Sequence, residues 1–423
     1  LTPKYTLRQK ISEIKCLQKC WRNIYSSKRE DVRESSRGFD NITLNQFKEK
    51  AATNLARISW ELVNDRYKFS PLKGIPIRKA NGNYRLVTSP SVSDRIVHKA
   101  ILSAINEIFY SLVDTGVSYC GVKRNLFSSS KKKDKNHISA IKQITTLVSE
   151  KKFWIFESDI EGFFDNVPKK NLLDLIINDL PDSSINDLIK QIIFFEIGNE
   201  ADLEKPKYKG KLKLPQKDCG ISQGSPLSPL FSNIYLSDLD YAMKNECGMA
   251  FIRYVDDFVI LANSRDEVEK LGNFAENEFK KLGLCLSRDK DESKSKTRTV
   301  NLKDGGKSIV FLGLKIDNQM ITAKNPGAIK SKFNDEYLNI KLKELNRLTP
   351  QEKILLMNSR IQGCANYYAP FHCERLFLEL NKLIDRKIGL PTFRGLKKID
   401  NLYLGDQYGL PSLETWRSFF KKS

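Results

Sequence analysis

Asp256 and Asp257 stand side by side in Phe251-Ile-Arg-Tyr-Val-Asp-Asp-Phe-Val-Ile-Leu-Ala262, between two runs rich in β-branched and aromatic residues. Such residues favour strands and Asp tolerates a turn, so the stretch predicts a tight β-hairpin with two carboxylates at its tip. Like charges that close repel unless a cation sits between them. Asp-Asp is also ordinary turn chemistry, and on this stretch alone both readings stand. Asp159 adds a third carboxylate, near the C-terminal end of a strand predicted over Phe153 to Ile160. Adjacent strands bring Asp159 and Asp256 close together, and the intervening chain is long enough for a right-handed crossover between them. Carboxylates gathered in this way suit phosphoryl transfer between nucleotides. Two Mg²⁺ ions about 4 Å apart activate an attacking 3′-hydroxyl and stabilise a leaving pyrophosphate. Mg²⁺ prefers a few carboxylates plus substrate oxygens to a full protein cage. With three histidines in the chain, there is little material for Ser/His/Asp or Cys/His chemistry.

The elements that must position these residues follow from pattern. Residues 1 to about 70 read as largely helical, including one helix from Leu44 to Asn64. Ile75 to Thr88 reads as strand, Asn81-Gly82 turn and strand, with Lys79 and Arg85 on its arms. Cations on a hairpin blunt an exposed edge, or hold phosphates. Asp94 to Tyr110 is an amphipathic helix capped by Ser93 or Asp94, and His98 on it is a surface or packing residue. Lys131, Lys132 and Lys133 lie in a Ser- and Lys-rich loop suited to backbone phosphates. Lysines alternate from Lys205 to Lys213 in a second basic ribbon or loop. Cys219 to Pro229, with two glycines and two prolines, is a loop where backbone approaches something closely, before a helix from Leu230 to Met243. A helix from Asp266 to Leu282, a short strand at Leu284 and a strand pair around Ile309 to Ile316 follow. From about Ala328 the chain is helical again.

The formal net charge of +20 points to a polyanionic partner, nucleic acid rather than membrane. No apolar run reaches the roughly 18 to 20 residues of a membrane span, and the N-terminus has no apolar signal core. The eight cysteines include no C-x-x-C pair, and Cys364, His372 and Cys373 lack a fourth ligand at zinc spacing. A reducing cytoplasm fits this usage.

Four segments in order resemble the palm motifs of reverse transcriptases. Asp159-Ile-Glu-Gly-Phe-Phe164-Asp-Asn is similar to their first palm motif, and Gly220-Ile-Ser-Gln223-Gly-Ser-Pro-Leu-Ser-Pro to the motif beneath the incoming nucleotide. Tyr254-Val-Asp-Asp257 resembles the Y-x-D-D box, and Phe311-Leu312-Gly313-Leu-Lys-Ile the primer-grip hairpin. Arg37-Gly-Phe-Asp-Asn-Ile-Thr, Ile75 to Arg85, Asp94 to Ala100, Tyr119-Cys-Gly and Gly363-Cys-Ala-Asn-Tyr-Tyr extend the likeness to the group II intron type, over most of residues 37 to 370. The resemblance implies an α/β (α+β) right-hand polymerase. Its fingers and palm, with an antiparallel palm sheet packed on helices, span 71–325. They follow an N-terminal helical extension at 1–70 and precede an all-helical thumb at 326–423.

The same resemblance implies roles. Asp159, Asp256 and Asp257 form the acidic triad and, with the Ile160 carbonyl, hold two Mg²⁺ ions, for which Mn²⁺ can substitute. Phe164 is a steric gate against the ribose 2′-hydroxyl, with Phe163 the core residue beside it. Gln223 contacts the nucleotide, and Lys79 and Arg85 contact its triphosphate. Lys290, with Lys294 as rival, protonates pyrophosphate. Tyr254, Phe311, Leu312 and Gly313 meet the primer end, and Lys131, Lys132 and Lys133 meet the nucleic-acid backbone. The chain departs from mobile-intron enzymes in Val255 where Ala is more usual, in the Lys-rich insertion, and in ending at Ser423 without a DNA-binding or endonuclease region. That build resembles compact defence-associated reverse transcriptases that copy a structured noncoding RNA into DNA with deoxynucleoside triphosphates. The rival expectations are an intron maturase, a template-independent protein-primed polymerase, and an RNA-binding scaffold with a vestigial site.

Overall fold

In the computed structural model, which describes residues 5–28, 30–79, 82–120, 135–288, 295–332, 363–364, 366–388, 410 and 412–421, the chain divides into two units, each assembled from separated stretches. The first comprises 1–134, 160–245 and 276–286, and the second 135–159, 246–275 and 287–423.

In the first unit, Val92–Val113 is the central helix. Ser91 caps it, its hydroxyl accepting from the Asp94 N–H at 3.0 Å, so the cap lies two residues earlier than Ser93. This 22-residue helix is long and apolar enough to cross a membrane by composition, which corrects the expectation that no run qualifies. Its apolar surface is used internally. Ile96, Val97, Ala100, Ile101 and Ile105 are wholly buried, and the helix packs on Leu7–Ser12, Ile14–Ser26 and Ser228–Tyr235. Two predicted helices are each broken once. Leu44–Glu49 and Ala51–Val63 part at Lys50, whose backbone leaves the helical region, and Ser228–Tyr235 and Ser237–Cys247 part at Leu236. The hairpin of Lys73–Arg78 (β1) and Tyr84–Ser89 (β2) pairs Ile77 with Arg85. The basic segment after Lys205 folds as successive turns rather than a ribbon, and the Lys211 carbonyl accepts from the Tyr84 N–H at 2.8 Å.

The second unit is built on a four-stranded antiparallel sheet. Its strands are Trp154–Asp159 (β3), Phe251–Tyr254 (β4), Asp257–Ala262 (β5) and Arg298–Asn301 (β6), in the order β4-β5-β3-β6. β3 is central and nearly continuous in burial because it is covered on both faces. It runs antiparallel to β5, as the expected antiparallel sheet requires, so the connection between them is not a right-handed crossover. The expected short strand at Leu284 is only a single bridge, Ile160 to Leu286, in the first unit. Ser308–Phe311 (β7), Leu314–Asp317 (β8) and Ile321–Ala323 (β9) form a separate sheet, one strand more than the expected pair, with β7 at its edge packed against β3, β5 and β6. His372 Nδ1 accepts from the Ile321 N–H at 2.9 Å, and the His372 N–H donates back to the Ile321 carbonyl. That histidine tethers chain to sheet. Burial pushes the Cys364 and Cys373 thiols up to about 11 and about 12.

Candidate active site

The acid centre lies wholly within the second unit. Antiparallel register places Asp159 directly opposite Asp257, and Tyr254 opposite Asp257 across the β4–β5 hairpin, so Val255 and Asp256 form its two-residue tip. Val255 takes φ +60, a region that β-branched side chains avoid. The buried Arg253 holds this turn from below, its Nη1 donating to the Val255 carbonyl at 2.9 Å. The Asp257 carboxyl is pushed up to about 7, first by burial and then by the negative charges of Asp256 and Asp159, while Lys296 opposes the shift. Lys296 Nζ makes an ion pair with Asp159 Oδ2.

These three carboxylates fit divalent metal, being hard oxygen donors whose mutual repulsion a cation relieves. Among the described residues no three His, Cys, Asp or Glu side chains form a ready-made cage. Beside the centre opens a cleft of about 390 Å³ whose lining includes Asp159, Asp257, Lys296, Leu312, Gly313 and Lys324. Leu312 and Gly313, at φ +52 and +72, make the tight turn between β7 and β8. Tyr367 Oη donates to the Leu312 carbonyl at 2.5 Å and its ring stacks on His137.

The first unit carries a second cluster. Phe163 is buried and Phe164 half-buried, their rings edge-on at 5.4 Å. The Gly220–Gln223 loop is sewn down on both sides. The Ile221 N–H donates to the Phe164 carbonyl at 2.7 Å, and the Thr88 N–H donates to the Gln223 carbonyl at 2.8 Å. Ser222 and Thr88 hydroxyls meet at 2.7 Å. Gly224, at φ +152, lies so near Thr88 that a Cβ would come within 1.9 Å of its carbonyl oxygen. Behind the loop, the Ser225 hydroxyl meets buried His98 Nδ1 at 3.1 Å. Asp165 is raised by burial, and Lys213, Lys79 and Arg85 pull it back down, so three cations surround that carboxylate.

The family model described as "Reverse transcriptase (RNA-dependent DNA polymerase)" matches residues 77–316, more than half of the chain. The chain belongs to the reverse transcriptase family. Protein YkfC of Escherichia coli is 23% identical over 314 residues, 66% of this chain and 75% of YkfC. The group II intron-encoded protein LtrA of Lactococcus lactis is 26% identical over 238 residues, 56% of this chain and 34% of LtrA. An uncharacterised 91 kDa protein in the cob intron of Schizosaccharomyces pombe is 28% identical over 189 residues, 45% of this chain. This reverse transcriptase chain thus spans a fifth of the last relative and a third of LtrA.

In this family member the structure brings Asp159, Asp256 and Asp257 together, and sets Phe311, Leu312 and Gly313 in the adjoining sheet. Tyr254 ends β4, beside the tip. Phe164, Gln223, Lys79 and Arg85 all lie in the first unit, where Ile160 is buried at its bridge to Leu286. Lys290, Lys294, Lys131, Lys132 and Lys133 lie outside the described residues. Lys213, which the sequence placed only in a basic segment, sits beside Asp165, with Nζ 3.2 Å from Asn166 Oδ1. Lys296, which the sequence did not single out, reaches Asp159 from the segment just before β6.

Proposed function

We propose that this chain is an RNA-directed DNA polymerase that extends a DNA primer on an RNA template. One observation carries the reading: Asp159 and Asp257 face each other in register at the hairpin tip that also holds Asp256. Bound Mg²⁺, or Mn²⁺ in its place, supplies activation of the primer 3′-hydroxyl and charge neutralisation for departing pyrophosphate. The chain's own residues do the rest. Asp159, Asp256 and Asp257 hold the ions, with the Ile160 carbonyl as a further oxygen. Lys296 balances the charge of Asp159. The Leu312–Gly313 turn, with Phe311 and Tyr254, orients the primer end. Lys79, Arg85 and Lys213 bind triphosphate oxygens, Gln223 contacts the nucleotide, and Phe164 excludes a 2′-hydroxyl. The division into an extension (1–70), fingers and palm (71–325) and thumb (326–423) belongs to this proposal.

The proposed template is a cognate structured noncoding RNA, and the proposed setting is antiviral defence in the cytoplasm. The net charge of +20 supports an RNA partner. A second reading, an intron-encoded enzyme acting on its intron RNA, is supported by the similarity to LtrA.

The test is primer extension on a defined RNA template with Mg²⁺, beside sequencing of nucleic acid that co-purifies with the wild type and with Asp256→Ala. Asp256→Ala is expected to abolish synthesis with RNA binding retained, because a metal ligand is lost and no phosphate contact is. One dominant short RNA in both preparations, with complementary DNA only in the wild type, supports the proposal. Intron RNA favours the second reading. Extension by Asp256→Ala at the wild-type rate sinks the assignment of the site.

A further inference from the structure

Glu157 lies two residues before Asp159 on β3, so both side chains project from the same face of the strand. It is a buried carboxylate. Both of its oxygens are engaged. Oε1 pairs with Arg298 Nε on neighbouring β6, and Oε2 accepts the backbone N–H of Val310 at 2.8 Å. Val310 belongs to β7, the edge of the other sheet. Arg298 reaches the same strand, its Nη2 donating to the Ser308 carbonyl at 3.1 Å. The outer edge of β7 is thereby held at an N–H and a C=O by two side chains of the palm sheet, with no strand pairing between the sheets. β7 leads within two residues to the Leu312–Gly313 turn, and Glu157, Asp159, Arg298, Val310 and that turn all line the same cleft.

We infer that Glu157, with Arg298, is a positioning residue that sets the place of the Leu312–Gly313 turn relative to Asp159, and so the alignment of a primer 3′ end with the acid centre. This rests on the polymerase reading given above. A side chain two residues from each end of the span is a short lever. In extended chain, two residues are roughly 7 Å, so little slack exists between clamp and either functional group. Truncating Glu157 also leaves the Val310 N–H and the Arg298 guanidinium without their buried partner, which favours displacement of β7 over a static gap. Glu157→Gln keeps an acceptor for the Val310 N–H but replaces the oxygen that accepts from Arg298 Nε with an amide NH2, a donor. It therefore preserves the β7 bond and loses the Arg298 pair.

The test measures single-turnover extension of a DNA primer on an RNA template, with primer–template affinity and half-saturating deoxynucleotide measured on the same proteins. Glu157→Ala is expected to slow extension by about ten- to a hundredfold, as misplacement near 1 Å does. Primer–template affinity should stay near wild type, and Glu157→Gln, which keeps the Val310 bond, should recover part of the rate. Should Glu157→Ala not fold, Glu157→Gln and Arg298→Ala carry the test, the latter slowing extension with half-saturation unchanged. Hydrogen exchange of residues 308–311 gives a readout independent of polymerase activity: protection falls in Glu157→Ala and is kept in Glu157→Gln. A wild type that shows this exchange pattern but extends nothing removes the polymerase reading and leaves the clamp. Extension at the wild-type rate by Glu157→Ala, no rescue by Gln, or unchanged protection of 308–311 in Glu157→Ala overturns the inference.

Discussion

Phe163 and Phe164 are identical in type and adjacent, and burial separates them: the first fills the core while the second keeps a face open. A gate must have such an open face, so Phe164→Ala is expected to raise incorporation of ribonucleotides relative to deoxynucleotides by about ten- to a hundredfold. Extension assays with matched nucleotide pairs check this, and an unchanged ratio removes Phe164 from that role. Val255 is the residue where local preference loses to position. Its φ of +60 costs on the order of 1–3 kcal/mol, which the Arg253 bond to the Val255 carbonyl helps to offset. Lys296 is the clearest residue that sequence pattern did not single out. A lysine close to strand-forming residues has no signature for reaching a carboxylate 137 positions earlier. By contrast the Asp256-Asp257 pair was legible as a hairpin tip, because two acidic residues amid β-branched and aromatic neighbours break the apolar pattern.

At the scale of elements, the Gly220–Gln223 loop is fixed by contacts that admit no side chain at Gly224. Gly224→Ala is expected to cost about 1–3 kcal/mol in unfolding free energy and to weaken nucleotide binding. Denaturant melts and half-saturation measurements check it, and a wild-type stability would mean that the loop yields. His98 behind that loop gives a pH dependence. Burial lowers its pKa from 6.5 to about 3, so its contribution to stability is whole above pH 6.5 and is lost as pH falls toward 3. Asp94, which lines a cavity together with His98, Lys68 and Glu196, is raised by burial to about 6 and acts with the opposite sign, gaining as pH falls below 6. His98→Gln keeps the Asp94 term, and is therefore expected to lose less stability than the wild type between about pH 6.5 and 4. Thermal melts at the two pH values check this, and equal losses refute it. Hairpins were readable in the chain because turn residues flank alternating strands. The breaks at Lys50 and Leu236 were not, since neither position carries Pro or Gly.

Across the whole molecule, charge and motif order were enough to indicate a nucleic-acid polymerase, and the family match over residues 77–316 agrees. The interleaving of the two units was not legible. Composition does not shift between Asp159 and Ile160, where the chain passes from one unit to the other. The same holds for the β7 edge, whose docking depends on Glu157 and Arg298 rather than on any pattern along β7 itself. One consequence concerns time. β3 is the central strand of its sheet, but its neighbours β5 and β6 are encoded roughly a hundred residues or more downstream. At about 5–20 residues per second, a ribosome needs on the order of five to twenty seconds or longer to deliver them. Throughout that interval Ile155 and Phe156 have no partner strand, and the nascent chain presents an unsatisfied apolar edge. Nascent chains stalled near residue 200 are accordingly expected to be held by chaperones, and chains stalled well past 301 to be released from them.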